Sequence, residues 1–222
     1  MKGSARRALI AVVVCAAVFA VVLHNRGAVA GGNGEITPEV RAATLNLDSV
    51  APQDRIWIQN AIATARPEAQ RLIAEVDGLV TVRTDLRQAG VPEDAIGLTR
   101  SNGAGADVIL GVDRLNGDRA IDRNMVVLHE LGHVIDFLLV DDALNGQLNA
   151  GIPASRECGT ALDGAGGCTA VEERFADTFA KWALRGAVSA AGAGYSTLSP
   201  ASLESWGAPL ANLAIQIEVA AK

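Results

Sequence analysis

Apolar and polar positions follow three different rhythms along this chain. Residues 8–23 are an unbroken apolar run of 16 residues. From residue 37 to about residue 77, Ile56, Ile58, Ile62, Leu72, Ile73 and Val76 recur at helical spacing, and Pro67 is placed to open a second helix at its first turn. Residues 78–86 (GLVTVRTDL) alternate as a strand does, and residues 96–100 and 107–113 read as two more strands around an Asn102-Gly103 turn. Asn116-Gly117 is expected to end the sheet. Residues 122–141 (DRNMVVLHELGHVIDFLLVD) carry apolar side chains all round, as a helix buried in a core does, with Asp122 as its N-cap. Residues 144–167 are polar and rich in Gly and Ala and read as a long loop. Residues 170–184 (AVEERFADTFAKWAL) form a second strong helical pattern, and residues 200–220 supply one or two more helices. No internal repeat is visible. Helices, a small sheet and further helices define an α+β chain.

Composition narrows the class. Half of the 222 residues are hydrophobic and 20% are charged, the balance of a globular protein with one full-sized core. A formal charge of −6, with no basic block, argues against nucleic acid as a partner. Lys2, Arg6, Arg7 and Arg26 are the only charged residues in 1–30, so the remainder carries −10. That basic start, the apolar run and Ala28-Val29-Ala30 have the form of a secretory signal with a small-x-small cleavage site. Arg26, lying between run and site, fits a retained signal anchor, although the run is shorter than the roughly 20 residues of a permanent span. Either reading puts the body outside the cytoplasm, secreted or tethered to the membrane through residues 8–23. Residues 31–50 begin as a Gly-rich linker and are a candidate pro-segment, and residues 51–222 are the expected catalytic domain.

The chemistry lies in His129-Glu130-Leu131-Gly132-His133, an HExxH sequence. Residues four apart on a helix are about 40° apart around the axis and about 6 Å apart along it, so both imidazoles leave one face and can share a Zn²⁺ ion. Glu130 can then take a proton from the water that zinc activates as that water attacks a carbonyl, and pass it to the leaving amine. Outside residues 1–30 the chain has only these two histidines. Two histidines scattered at random over the body would fall at this spacing roughly 1% of the time, before a neighbouring Glu is required.

A catalytic zinc needs a third protein ligand and an open position. With no third histidine in the body, the HExxHxxGxxH arrangement is excluded and the ligand must be acidic. Glu173 heads an ExxxD sequence on the second strong helix, which puts Asp177 on the same face. Glu173 is the expected ligand, with Asp177 accepting the other ring N–H of His129 or His133 to fix its tautomer. Glu172 and Asp163 are the rival ligands, and Asp136 is expected to be structural. Cys158 and Cys168 bracket a Gly-rich loop between the two helices. In an extracytoplasmic protein they are expected to form a disulfide stabilising by about 2–3 kcal/mol.

VVLHELGHVIDF, followed some forty residues later by EERFADTFAKWA, resembles the gluzincin metallopeptidases and is most similar to the anthrax lethal factor type of catalytic domain. The resemblance covers about residues 125–185. It implies His129, His133 and Glu173 as zinc ligands and Glu130 as the catalytic base. It also implies a zincin-like fold: a small twisted sheet, an active-site helix beneath the edge strand, and a mostly helical C-terminal half. Residues 107–113 are expected to be that edge strand, binding an extended peptide or protein substrate by adding it to the sheet. Such enzymes often steady the oxyanion with a Tyr or His, which implicates Tyr195, the only tyrosine. Two functional classes follow: an extracytoplasmic zinc metalloendopeptidase, or a binding protein that keeps the fold and a structural metal. An intact Glu130 favours the first, because a structural site has no use for an acid–base group there.

Overall fold

The computed structural model describes residues 45–85, 95–117, 121–153, 170–187 and 198–221. Two proline-started helices come first, α1 at Pro52–Thr64 and α2 at Pro67–Glu75. Ala65 and Arg66 between them are extended, as residues before a proline tend to be. The helical pattern expected from residue 37 gives way before α1, where Asn46 instead bridges Thr81 in parallel and exchanges main-chain hydrogen bonds with Val80 and Val82. Leu45, Leu47 and Val50 are buried, so the packed body begins before residue 51.

Three strands form one mixed sheet: β1 at Val80–Arg83, β2 at Gly97–Ser101 and β3 at Ala106–Leu110, in the order β1-β3-β2. β1 runs parallel to β3, with Val80 opposite Ala106, and β2 runs antiparallel to it, with Gly97 opposite Leu110. Asn102 closes the β2–β3 turn by accepting from the Gly105 N–H at 2.8 Å, while Gly103 takes a φ of +86°. This topology corrects two expectations. The strand within 107–113 is central rather than at the edge, because it pairs on both sides. The sheet also ends at Leu110, since Val112–Gly117 is already helical (α3) and Asn116-Gly117 closes that helix instead.

Helix α4, Arg123–Leu138, runs through the core and is buried from Met125 to Asp136. Asp122 caps it by accepting from the Met125 N–H at 3.2 Å. Next comes α5, Asp142–Ala150, inside the stretch expected to be a loop. Asp141 caps it by accepting from the Leu144 N–H at 2.8 Å, and only Leu144 and Leu148 mark its apolar face, too few to stand out among Asn, Gly and Gln. Helix α6, Val171–Ala183, packs against α4 across Gly132, where an added Cβ would come within 3.0 Å of Ala176 Cα. Helix α7, Leu203–Ala220, is a single helix despite Pro209 in its second turn.

Beneath α6, Phe175, Phe179, Trp182 and Trp206 form an aromatic cluster with neighbouring ring centroids 5.7–6.5 Å apart. Trp206 Nε1 donates to the Leu148 carbonyl at 2.9 Å, tying α7 to α5. Arg66 stacks over Trp182 and grips both Glu204 carboxylate oxygens, at 3.0 and 2.8 Å. These contacts hold α6 in place behind the face it turns to α4.

Candidate metal centre

His129 and His133 leave one face of α4 a turn apart, their rings edge to face with centroids 4.9 Å apart. Glu173, in the first turn of α6, reaches them from the opposite side. Its Oε2 lies 3.1 Å from His129 Nε2 and 3.5 Å from His133 Nε2. All three residues offer a donor atom within 4.8 Å of the others. A tetrahedral zinc with bonds near 2.0–2.2 Å sets its ligand atoms about 3.3 Å apart, so the spacing and the N/N/O donor set both fit that ion. Glu172, the rival on the same helix, is exposed to solvent, whereas Glu173 is half-buried at the cluster. Asp163 lies outside the described residues, as do Tyr195, Cys158 and Cys168.

The electrostatics separate the two glutamates. Burial pushes the Glu173 carboxyl up, but hydrogen bonds to His129 and His133 and their charges overwhelm it and hold the group far below the usual carboxylate range. Burial alone would lower the His133 imidazole. The Glu173 hydrogen bond and the charges of Glu130, Glu173 and Asp136 instead hold it above the ordinary histidine value. Glu130 is 3% exposed. There burial prevails over the two histidines and a hydrogen bond from Thr99, and the carboxyl stands above its ordinary value.

The residues around the centre have their own partners. Asp136, expected to be structural, accepts from Asn145 Nδ2 of α5 at 2.5 Å. Asp177 is wholly buried one turn beyond Glu173, and its Oδ2 pairs with Lys181 Nζ at 2.6 Å. Asp177 is expected to accept from His129 or His133, and His133 Nδ1 is buried without a hydrogen-bond partner among the described residues. Phe137 stacks on His133 with centroids 6.0 Å apart and is 44% exposed at the rim.

Three neighbours escaped the sequence reading. Phe137 looks like an ordinary helix residue, and Asn145 falls in the stretch expected to be a loop. Thr99 did leave a signal. In Gly97-Leu98-Thr99-Arg100-Ser101 the alternation is reversed, with small and polar residues on the face that meets α4. No protein-family model, curated protein or solved structure matches this chain.

Proposed function

We propose that this chain is an extracytoplasmic zinc metallopeptidase with a zincin-like fold, related in pattern to the gluzincins and to the lethal factor type of catalytic domain. The observation that carries the reading is the cluster itself. Two imidazoles one turn apart on α4 and a carboxylate from α6 converge at zinc-ligand spacing, with a buried glutamate next in sequence to the first imidazole. Among the described residues, no other group of three or more such side chains could hold a metal.

Bound zinc supplies Lewis acidity, lowering the pKa of a water to about 7 and stabilising charge that develops on a carbonyl oxygen. The chain's own residues do the rest. His129, His133 and Glu173 hold the ion, and a carboxylate ligand beside two neutral imidazoles leaves the site a net positive charge. Glu130 takes the proton from the attacking water and returns it to the departing amine. A carboxyl raised above its ordinary value by burial suits both halves of that transfer. Asp177 and Lys181 form a buried ion pair one turn apart within α6, on the turns that follow Glu173. The edge strand is β2, which among the described residues pairs only with β3 and so offers its other side to an extended peptide. The basic and apolar pattern of residues 1–30 supports export. No described helix is long and apolar enough to cross a membrane.

The test is zinc stoichiometry and peptide turnover of the purified chain beside Glu173→Ala and Glu130→Gln. One zinc per chain, lost in Glu173→Ala, with turnover abolished in Glu130→Gln despite retained zinc, is the expected result. Zinc without any turnover that depends on Glu130 would make the chain a binding protein with a structural metal. No zinc in the unaltered chain would remove the reading altogether.

A further inference from the structure

Glu130 has a geometric problem that the ligands do not share. It follows His129 by one residue, so it leaves α4 about 100° away from that imidazole, and the helix alone does not aim its carboxylate. The side chain is flexible and almost wholly buried, and something must choose its rotamer.

Two alternate residues of β2 meet it. Thr99 Oγ1 donates to Glu130 Oε2 at 2.7 Å and lies 3.0 Å from the Glu130 main-chain carbonyl, so one hydroxyl addresses both the side chain and the backbone of the same residue. On the same strand face, a Cβ added to Gly97 would overlap Glu130 Oε1 and crowd Cδ and Cγ. Gly97 has a backbone conformation open to other residues, since its φ is not positive, and the three atoms nearest an added Cβ all belong to the Glu130 side chain. Leu98 and Arg100 point away on the other face. The reversed alternation of β2 therefore has a local cause: its inward positions are shaped around one glutamate.

We propose that β2 is the positioning element for Glu130, with Gly97 providing the space its carboxylate occupies and Thr99 fixing its orientation, so that the strand available to a peptide also sets the proton-transfer group. This rests on the metallopeptidase reading, in which Glu130 is the base. Neither residue is among the zinc donors, so variants at both positions separate aiming the base from holding the metal.

The experiment compares Gly97→Ala, Thr99→Val and Thr99→Ser in the full chain by three readouts. Zinc content should stay at one per chain in all of them. In Gly97→Ala and Thr99→Val, kcat should fall about 10- to 100-fold with KM little changed, a fraction of what general-base catalysis contributes, and Thr99→Ser should recover most of it. The third readout needs no turnover: thermal unfolding of the metal-free protein, with and without Glu130→Ala. Thr99→Val should lower Tm by about 2–4 °C in the parent and by clearly less when residue 130 is already alanine, where only the contact to its main-chain carbonyl is left to lose. Gly97→Ala should likewise be tolerated better in the Glu130→Ala background. Equal Tm shifts in both backgrounds, or full kcat in Thr99→Val, would overturn the positioning role while leaving the peptidase reading intact. An unaltered chain without zinc or Glu130-dependent turnover would instead defeat that reading, and the catalytic role of β2 with it, even if the unfolding data still coupled the strand to Glu130.

Discussion

The centre has a helical half and a strand half, and each treats its glutamate differently. Between α4 and α6, Glu173 sits against two imidazoles and is held ionised. Between α4 and β2, Glu130 sits against a glycine and one hydroxyl, and burial raises its carboxyl. The two residues share chemistry and neighbourhood, and their surroundings alone push them in opposite directions. An ionised carboxylate suits a metal ligand, and one that holds its proton more tightly than usual suits a proton carrier.

The largest test of that division exchanges the losses. Glu130→Gln should keep zinc and lose about 10²–10⁴-fold in kcat, whereas Glu173→Ala should lose zinc first and turnover only as a consequence. Metal analysis beside kcat on each variant reads this directly. Equal loss of zinc in both would erase the distinction between the halves.

The helical half also depends on a charge pair the strand half lacks. Lys181→Met would leave Asp177, 0% exposed, without its ion-pair partner and should destabilise the fold by about 3–5 kcal/mol in denaturant unfolding. A smaller effect is expected at the helix crossing. Gly132→Val should cost about 2–3 kcal/mol through overpacking against Ala176 and Phe179, and it should weaken zinc binding as α6 is pushed away.

The smallest effect is a pH profile of the metal-free protein. The depressed Glu173 adds stability above its unfolded value of 4.5 and loses it as pH falls through the folded value, while the raised His133 adds stability below its unfolded value of 6.5 and loses it as pH rises through the folded one. Glu130, raised from 4.5, acts in the same direction as His133. Asp136, raised from 3.8 by burial, does so too, so metal-free Tm should be highest near about pH 4.5 and fall as pH rises, further so above about 6.5, and the gain from zinc should grow from about pH 5 to 7.5 as protons stop competing for the ligands. Thermal scans with and without zinc across that range check it. A zinc gain that shrinks towards neutral pH would contradict the assigned ligands.

The helical half was legible in the sequence because its signals are local. HExxH fixes two side chains on one helix face at known spacing, and ExxxD on an amphipathic pattern placed Glu173 on the face that α6 turns inward. The strand half was not legible. Nothing local distinguishes a central from an edge strand, since the order β1-β3-β2 is decided by pairings between distant segments. Residues 97–101 run against the usual inward-apolar pattern because they are fitted to a glutamate some thirty residues later. Helix α5 stayed hidden because only Leu144 and Leu148 mark its apolar face, and the Asp141 cap and Asn145–Asp136 contact that also hold it leave no periodic signal.

The close approach at Gly132 gives the donor set a mechanical property. It makes the crossing of α4 and α6 a fulcrum with short arms: Gly132 adjoins His133, and Glu173 lies three residues from Ala176, about 4.5 Å along the helix axis. Rocking α6 by about 10° around that point would move Glu173 by about 0.8 Å, and the far end at Ala183, about 10.5 Å away, by about 1.8 Å. Motion at Trp182, about 9 Å beyond the pivot, is thus roughly halved by the time it reaches the Glu173 donor.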